Sequence, residues 1–157
     1  MVRGAMFNIL GPRIHGARVL DLYAGSGAIA LEALSRGASE VVLIERASEA
    51  LMVIGDNLKA LGMGDRARVQ RGEVLSNLSA LVGPFDVVIA DPPYRTADWD
   101  ALLTELQRPG LLAPEAVILL EHAKGERLPE QVGAFVCRRI YRYGLAQLAL
   151  FGIEAAQ

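Results

Sequence analysis

Asp21-Leu22-Tyr23-Ala24-Gly25-Ser26-Gly27-Ala28-Ile29-Ala30 joins a short apolar run to a stretch in which Ile29, Ala30, Ala33 and Leu34 recur at helical spacing. The run, residues 18–23 (RVLDLY), reads as a buried strand; the stretch, residues 27–36, reads as a helix stopped by Gly37. Between them stands the spacing G-x-G-x-x-A. Gly25 permits a tight turn, and Gly27 lets a ligand lie against backbone at a helix N-terminus. Taken alone, such glycines are more simply a structural turn. Here they fall where the ligand mechanism requires them, between a strand and a helix.

The same alternation continues outward. Residues 41–45 (VVLIE) form a second expected strand, 48–61 a helix ending at Gly62, 67–70 a weaker strand and 73–81 a short helix. Residues 85–90 (FDVVIA) give a fourth strand broken by Pro92 and Pro93, followed by a helix over 99–106 and a fifth strand over 116–121 (AVILLE). The last stretch, 133–143 and 145–152, reads as two strands joined at Tyr143-Gly144. Strands alternating with helices imply parallel β-α-β units, and their nearly continuous apolar character implies a sheet covered on both faces. The expected fold is a doubly wound, Rossmann-like α/β domain over residues 1–157. Its mostly parallel sheet has about seven strands and ends in an antiparallel hairpin. Right-handed crossovers then place every strand-to-helix loop, and with them the ligand, along one edge.

Composition narrows the class. The 157 residues are 52% hydrophobic and 22% charged, a globular balance sufficient for one domain with its own core. Mean hydropathy is +0.30, yet the longest apolar runs fall far short of the roughly 20 residues a membrane-spanning helix needs. The first residues, MVRGAMFNIL, lack a secretory layout, so a cytoplasmic location is expected. A single cysteine, Cys137, excludes an internal disulfide and a cysteine-rich zinc site. With only His15 and His122 besides, no metal centre is expected. A net charge of -2 gives no global attraction to nucleic acid, so such a partner needs a local basic patch.

Glu45 ends the second strand, where a carboxylate accepts two hydrogen bonds from a ribose diol. That fits either a dinucleotide or S-adenosylmethionine. Asp21 favours the latter: inside the strand end, it would repel a pyrophosphate but attract, directly or through water, the cationic amino group of a methionine moiety. A capped turn is the simpler role for such an aspartate. Asp91-Pro92-Pro93-Tyr94 then follows FDVVIA on the same rim. Two prolines stiffen the backbone and delete two donors, leaving carbonyls free to accept. With Asp91 they supply acceptors for both hydrogens of a planar exocyclic amine, and Tyr94 offers a face on which an unpaired base can stack.

At this point the residues resemble a family. The D-P-P-Y tetrapeptide with a D-L-x-x-G-x-G loop resembles class I S-adenosylmethionine-dependent methyltransferases that act on exocyclic amines of nucleobases or of glutamine. RGAMFNIL (residues 3–10), DLYAGSGAIALEALSRGA (21–38), Glu45, Asn57-Leu58 and DPPY together are similar to the bacterial family that methylates guanine N2 in small-subunit (16S) ribosomal RNA. The resemblance covers nearly the whole chain. It implies S-adenosyl-L-methionine as cofactor and ribosomal RNA or the small ribosomal subunit as partner, with neither membrane nor metal involved. It places Asp21, Gly25 and Gly27 around the methionine part of the cofactor, Glu45 at its ribose and Glu73 near the adenine, where the family more often has aspartate, with Tyr23 and Ser26 also cofactor-binding. Asp91, Pro92 and Tyr94 would form the base-binding catalytic site. The family usually carries a basic arm ahead of the arginine matched by Arg3, whereas this sequence opens two residues before it.

Other residues have plainer readings. His122 is expected to be a surface or capping histidine rather than a general base, Cys137 a small core residue and Trp99 a packing residue bordering DPPY. Arg95, and the cluster Arg138, Arg139 and Arg142, suit either phosphate contact or a solvated surface. Three further functions fit less well. Adenine-N6 methylation of DNA lacks a target-recognition insertion, a non-catalytic RNA-binding module has no need of the amine acceptors, and a dehydrogenase would lack a hydride-transfer constellation.

Overall fold

A computed structural model describes residues 2–93 and 98–154, so Tyr94 and Arg95 lie outside the described residues. Five parallel strands form the body of the sheet: β1 (Arg18–Leu22), β2 (Glu40–Glu45), β3 (Ala67–Arg71), β4 (Phe85–Ala90) and β5 (Leu112–Ala123). Then come β6 (Gln131–Val132), β7 (Phe135–Tyr143) and β8 (Ala146–Ile153). The order across the sheet is β3-β2-β1-β4-β5-β8-β7-β6. From β1 the chain winds out through β2 to β3, then returns to the other side of β1 as β4. The crevice between β1 and β4 is therefore the switch point at which such folds bind ligands.

The doubly wound reading holds, with differences at the edges. The sheet has eight strands rather than about seven, the addition being the two-residue β6, too short to carry a pattern. The terminal hairpin is reversed in space from its chain order: β8 inserts between β5 and β7 and runs antiparallel to both. The expected helix over 73–81 divides into α4 (Val74–Asn77) and a 3-10 turn (Leu78–Ala80), and β5 begins four residues earlier than the apolar run suggested.

α1 (Val2–Leu10) has no acidic residue in its first turn, and nothing in its sequence marked it as a helix. What holds it is burial of Ala5, Met6, Phe7 and Leu10 against the sheet. It shares that face with α2 (Ala28–Ser35) and α3 (Ser48–Ala60), while α4 and α5 (Trp99–Glu105) cover the other. No helix among the described residues is long and apolar enough to cross a membrane.

Side chains alternate between the two layers. Val19, Leu43, Ile89 and Leu119 face α1–α3; Leu20, Ile44, Ala90 and Leu120 face α4 and α5. Continuing the period of two puts Asp21, Glu45, Asp91 and Glu121 on the α1–α3 side, at the carboxyl ends of four neighbouring strands.

Gly27 is required for a different reason from the one its spacing suggested. It sits at φ +83° as the residue entering α2, and a Cβ there would stand 3.1 Å from Ile54 Cγ1 of α3. Gly25, at φ +58°, has open space where its Cβ would be. Gly27→Ala should therefore lower stability by more than the roughly 1–2 kcal/mol of left-handed strain that Gly25→Ala also incurs. Denaturant titrations giving the two variants equal midpoints would contradict this packing role.

Candidate active site

A cleft of about 1040 Å³ opens at the switch point. Its walls are the loop after β1 (Tyr23, Ala24, Gly25, Ser26), the loop after β2 (Glu45, Arg46, Ala47), Gly72 to Leu75, Asp91 to Pro93 and Glu121. Val2, Arg3 and Met6 of α1 close one side. Each loop follows the carboxyl end of a parallel strand, which is why segments distant in sequence meet here.

Glu45 fastens two of these loops together. Its Oε1 accepts the Gly25 N–H at 2.8 Å, while Oε2 accepts the N–H groups of Arg46 at 2.9 Å and Ala47 at 2.8 Å. Those donors would otherwise be orphans at the turn before α3, so the carboxylate fixes both loops at once. From α3, Asn57 Nδ2 reaches the Ser26 carbonyl at 3.4 Å. Tyr23 is held at φ +61°, and among the described residues it is the one non-glycine with positive φ. Such strain persists only where surrounding contacts impose it.

Asp21 lies beneath this loop, 1% exposed, and neither of its carboxylate oxygens has a hydrogen-bond partner. Burial, followed by the nearby Asp91 and Glu45 carboxylates, pushes its pKa up to about 8. A buried, unpartnered carboxyl group is costly and lacks any structural role here.

Asp91 and Glu121 form the second feature. Ala90 of β4 pairs with Leu120 of β5, so the next residues stand side by side on one face. Their side chains hydrogen-bond to each other, which requires a proton on one of them. Burial raises both pKa values, and the shared bond raises Glu121, to about 7, while lowering Asp91. The proton therefore rests on Glu121, which donates to the Asp91 carboxylate. Sequence reasoning missed Glu121 as a site residue. The available sign was that it follows AVILL as Asp91 follows FDVVIA.

The remaining residues fall as follows. Tyr23, Gly25, Ser26, Glu45, Glu73, Asp91 and Pro92 line the cleft. Gly27 does not, being turned toward Ile54. Tyr94 is outside the described residues. Glu73 is paired with Arg46 across the mouth, both well exposed, an interaction worth little to stability. His122 is not a surface residue: it is buried, and alternation turns it toward the α4–α5 layer, away from Asp91. Burial lowers its pKa, leaving a neutral ring whose Nδ1 lies 3.3 Å from the Ala123 carbonyl oxygen. Trp99 is a packing residue as expected, with its Nε1 donating to Glu126 at 2.8 Å. Cys137 is only half-buried, at the border of the α4–α5 core. Among the described residues no group of three or more His, Cys, Asp or Glu is placed to hold a metal ion.

The family profile described as "Conserved hypothetical protein 95" matches residues 1–152. The chain belongs to this family. It is 36% identical to the provisionally named rRNA methyltransferase YlbH of Bacillus subtilis, over 96% of this chain and 83% of that one. It is also 36% identical to ribosomal RNA small subunit methyltransferase D of Escherichia coli K12, over 90% of this chain and 76% of that one. A solved structure of the provisionally assigned Escherichia coli methyltransferase yhhF superposes with a TM-score of 0.89 at 35% identity, covering 99% of this chain and 87% of that one. The resemblance drawn from the motifs is thus borne out at the level of family, and the fold is the Rossmann-like one of class I methyltransferases.

Asp21→Asn gives a sharp test of the buried carboxyl group. With a folded pKa of about 8 against an ordinary 3.8, the wild type loses stability as pH rises between those values, because ionisation opposes burial. The variant has no such charge. Its advantage in thermal midpoint should therefore grow from pH 4 to pH 8 and then level off, and a constant difference across that range would contradict the assignment.

Proposed function

We propose that the chain transfers the methyl group of S-adenosylmethionine to the exocyclic N2 amine of a guanine in small-subunit ribosomal RNA. The observation that carries this reading is the position of the unpartnered Asp21 carboxyl group, on the same sheet face and the same rim as Asp91. Asp21 lies beneath the loop that walls the cleft rather than on its lining, so a site for a cationic amine would adjoin the site for a planar amine. Relatives bearing rRNA methyltransferase names, and the near-complete match of motifs, support the substrate class.

The residues present fit the cofactor. Asp21 would hold the amino group of its methionine part, directly or through water, and in doing so would release the proton that burial keeps on the free protein. The open space at Gly25 admits the ligand against the backbone. Glu45, with its carboxylate already oriented by three N–H groups, has one lone pair left, on Oε1, for a ribose hydroxyl. Glu73, which lines the cleft, would lie near the adenine. When bound, S-adenosylmethionine supplies an electrophilic methyl group on a sulfonium sulfur.

The chain's own work is positioning and charge. The target guanine leaves its stack so that its amine reaches the rim. Asp91 and the Pro92 carbonyl accept the two amine hydrogens, which turns the nitrogen lone pair toward the methyl carbon. Tyr94 would stack on the base. As the N–C bond forms and the C–S bond breaks, positive charge develops on the nitrogen, and the Asp91 carboxylate stabilises it and takes the proton. Glu121, by keeping the shared proton, leaves Asp91 ionised. Such orientation alone supplies roughly 7–11 kcal/mol of barrier reduction.

Asp91→Ala should abolish turnover while cofactor affinity, read by calorimetry, stays nearly unchanged. Mass spectrometry of small-subunit RNA should find one N2-methylguanine lost in cells without the gene. An unaltered modification map would refute the substrate assignment.

Glu121 adds a pH signature. At saturating cofactor the single-turnover rate should rise as pH passes about 7, because ionised Glu121 adds negative charge beside the developing cation. Glu121→Gln still donates to Asp91 but cannot ionise, so it should remain on the low plateau. A variant that keeps the wild-type rise would show that another group titrates.

A further inference from the structure

The β7–β8 hairpin carries a cluster that the reaction does not use. Antiparallel pairing brings its tip to the rim of the active site: Ala123 at the end of β5 pairs with Ala146, which pairs with Tyr143. Lys124 N–H donates to the Leu145 carbonyl at 3.0 Å, tying the tip to the loop after β5.

The sheet face of the active-site acids continues into this hairpin. Glu121 pairs with Leu148, and Leu148 with Tyr141, so the three stand in one row. Leu148 and Leu150 face the α1–α3 layer, and their partners Tyr141 and Arg139 share that face, as does Tyr143 two residues on. Two strand spacings put Tyr141 about 10 Å from Glu121. The Arg139 guanidinium lies 4.6 Å from the centre of the Tyr141 ring. Tyr143 and Leu145 are 41% and 83% exposed.

Charge distinguishes this surface from the rest of the chain. From Gln131 to Ile153 there is no acidic residue, while the protein as a whole is at -2. Arg138 is not part of the surface: it occupies the bulge in β7, and its Nη2 reaches back to the Ile153 carbonyl at 3.3 Å. Arg142 and Lys124 are exposed at the tip, Arg142 on the opposite sheet face from Tyr143, while Arg139 is exposed four residues farther down β7, opposite Leu150. Beyond Val136 the outer side of β7 has no paired strand, and edge charges can serve simply to block sheet-to-sheet pairing. That purpose needs no exposed tyrosine or leucine at the rim. Aromatic rings interleaved with arginines, two strands from Glu121 and three from the amine acceptor Asp91, fit single-stranded RNA.

We propose that the β7–β8 hairpin, with Arg139 and Tyr143 on the acid-bearing face and Arg142 and Lys124 at its edge and tip, is the platform that binds the ribonucleotides flanking the guanine presented to Asp91. This rests on the reading of the chain as an RNA methyltransferase. Arginines hold the phosphates, and Tyr143 stacks on a splayed base.

The test uses the full chain, fluorescein-labelled single-stranded RNA of mixed sequence for anisotropy, and small-subunit RNA for methyl transfer. Combined Arg139→Ala and Arg142→Ala should raise Kd at least tenfold and lower the slope of log Kd against log salt by about 1.4, the value for two phosphate contacts on a single strand. Tyr143→Ala should raise Kd about tenfold with the slope unchanged. In both variants KM for RNA should rise while kcat at saturating RNA and calorimetric affinity for S-adenosylhomocysteine hold. Unchanged Kd and slope would overturn the proposal, as would a wild type that does not bind the RNA. So would variants that self-associate in sedimentation with RNA affinity intact, since the charges would then be edge guards. If RNA binding depends on the hairpin but no RNA is methylated, the proposed function fails and the platform stands.

Discussion

Four carboxyl groups, Asp21, Glu45, Asp91 and Glu121, emerge on one face at the ends of adjacent strands β2, β1, β4 and β5. Like charges gathered at the border of a buried sheet repel one another and resist desolvation, and the molecule answers this differently at each position. Glu45 is neutralised by backbone donors from two loops. Asp91 and Glu121 share a proton. Asp21 receives no hydrogen bond among the described residues. The geometry of the cleft follows from these three solutions, because the loops that satisfy Glu45 are the loops that wall it.

Burial of the unpartnered Asp21 carboxyl group costs stability. Nothing else in the described structure needs this residue charged, and a leucine or asparagine would pack there with less penalty. The strained Tyr23 backbone directly above has the same character. Local features that oppose folding are concentrated where the sheet order reverses, while the two layers on either side are built of aliphatic and aromatic residues with little exposure. Stability is supplied by the layers and spent at the rim.

Both layers also explain the reach of the site. α1 packs over the sheet through Met6, Phe7 and Leu10, which brings Val2, Arg3 and Met6 to the cleft. β8, inserted between β5 and β7, carries the acid-bearing face sideways to Tyr141 and Tyr143. A cleft with a shallow polar extension of this kind suits a ligand with one enclosed part and one extended part.

The doubly wound class, the glycine loop, Glu45 and DPPY were legible in the chain because they depend on local periodicity, turn chemistry and residues adjacent in sequence. What they could not disclose depends on residues far apart. Glu121 becomes a partner of Asp91 only through the register of β4 with β5, and α1 is a helix because the sheet gives its apolar side something to cover. Gly27 shows the limit within a motif: spacing identified it, but Ile54, contributed by another helix, supplies the packing reason. His122 was misread as superficial because alternation assigns a face and says nothing of what covers it. By itself, then, the sequence determined the kind of fold and which loops wall the cleft, since strand period and glycine conformation act over a few residues. Only the tertiary structure decided which acids meet, which one is left without a partner and where the hairpin tip falls, because pairing register and desolvation arise only when distant strands pack together.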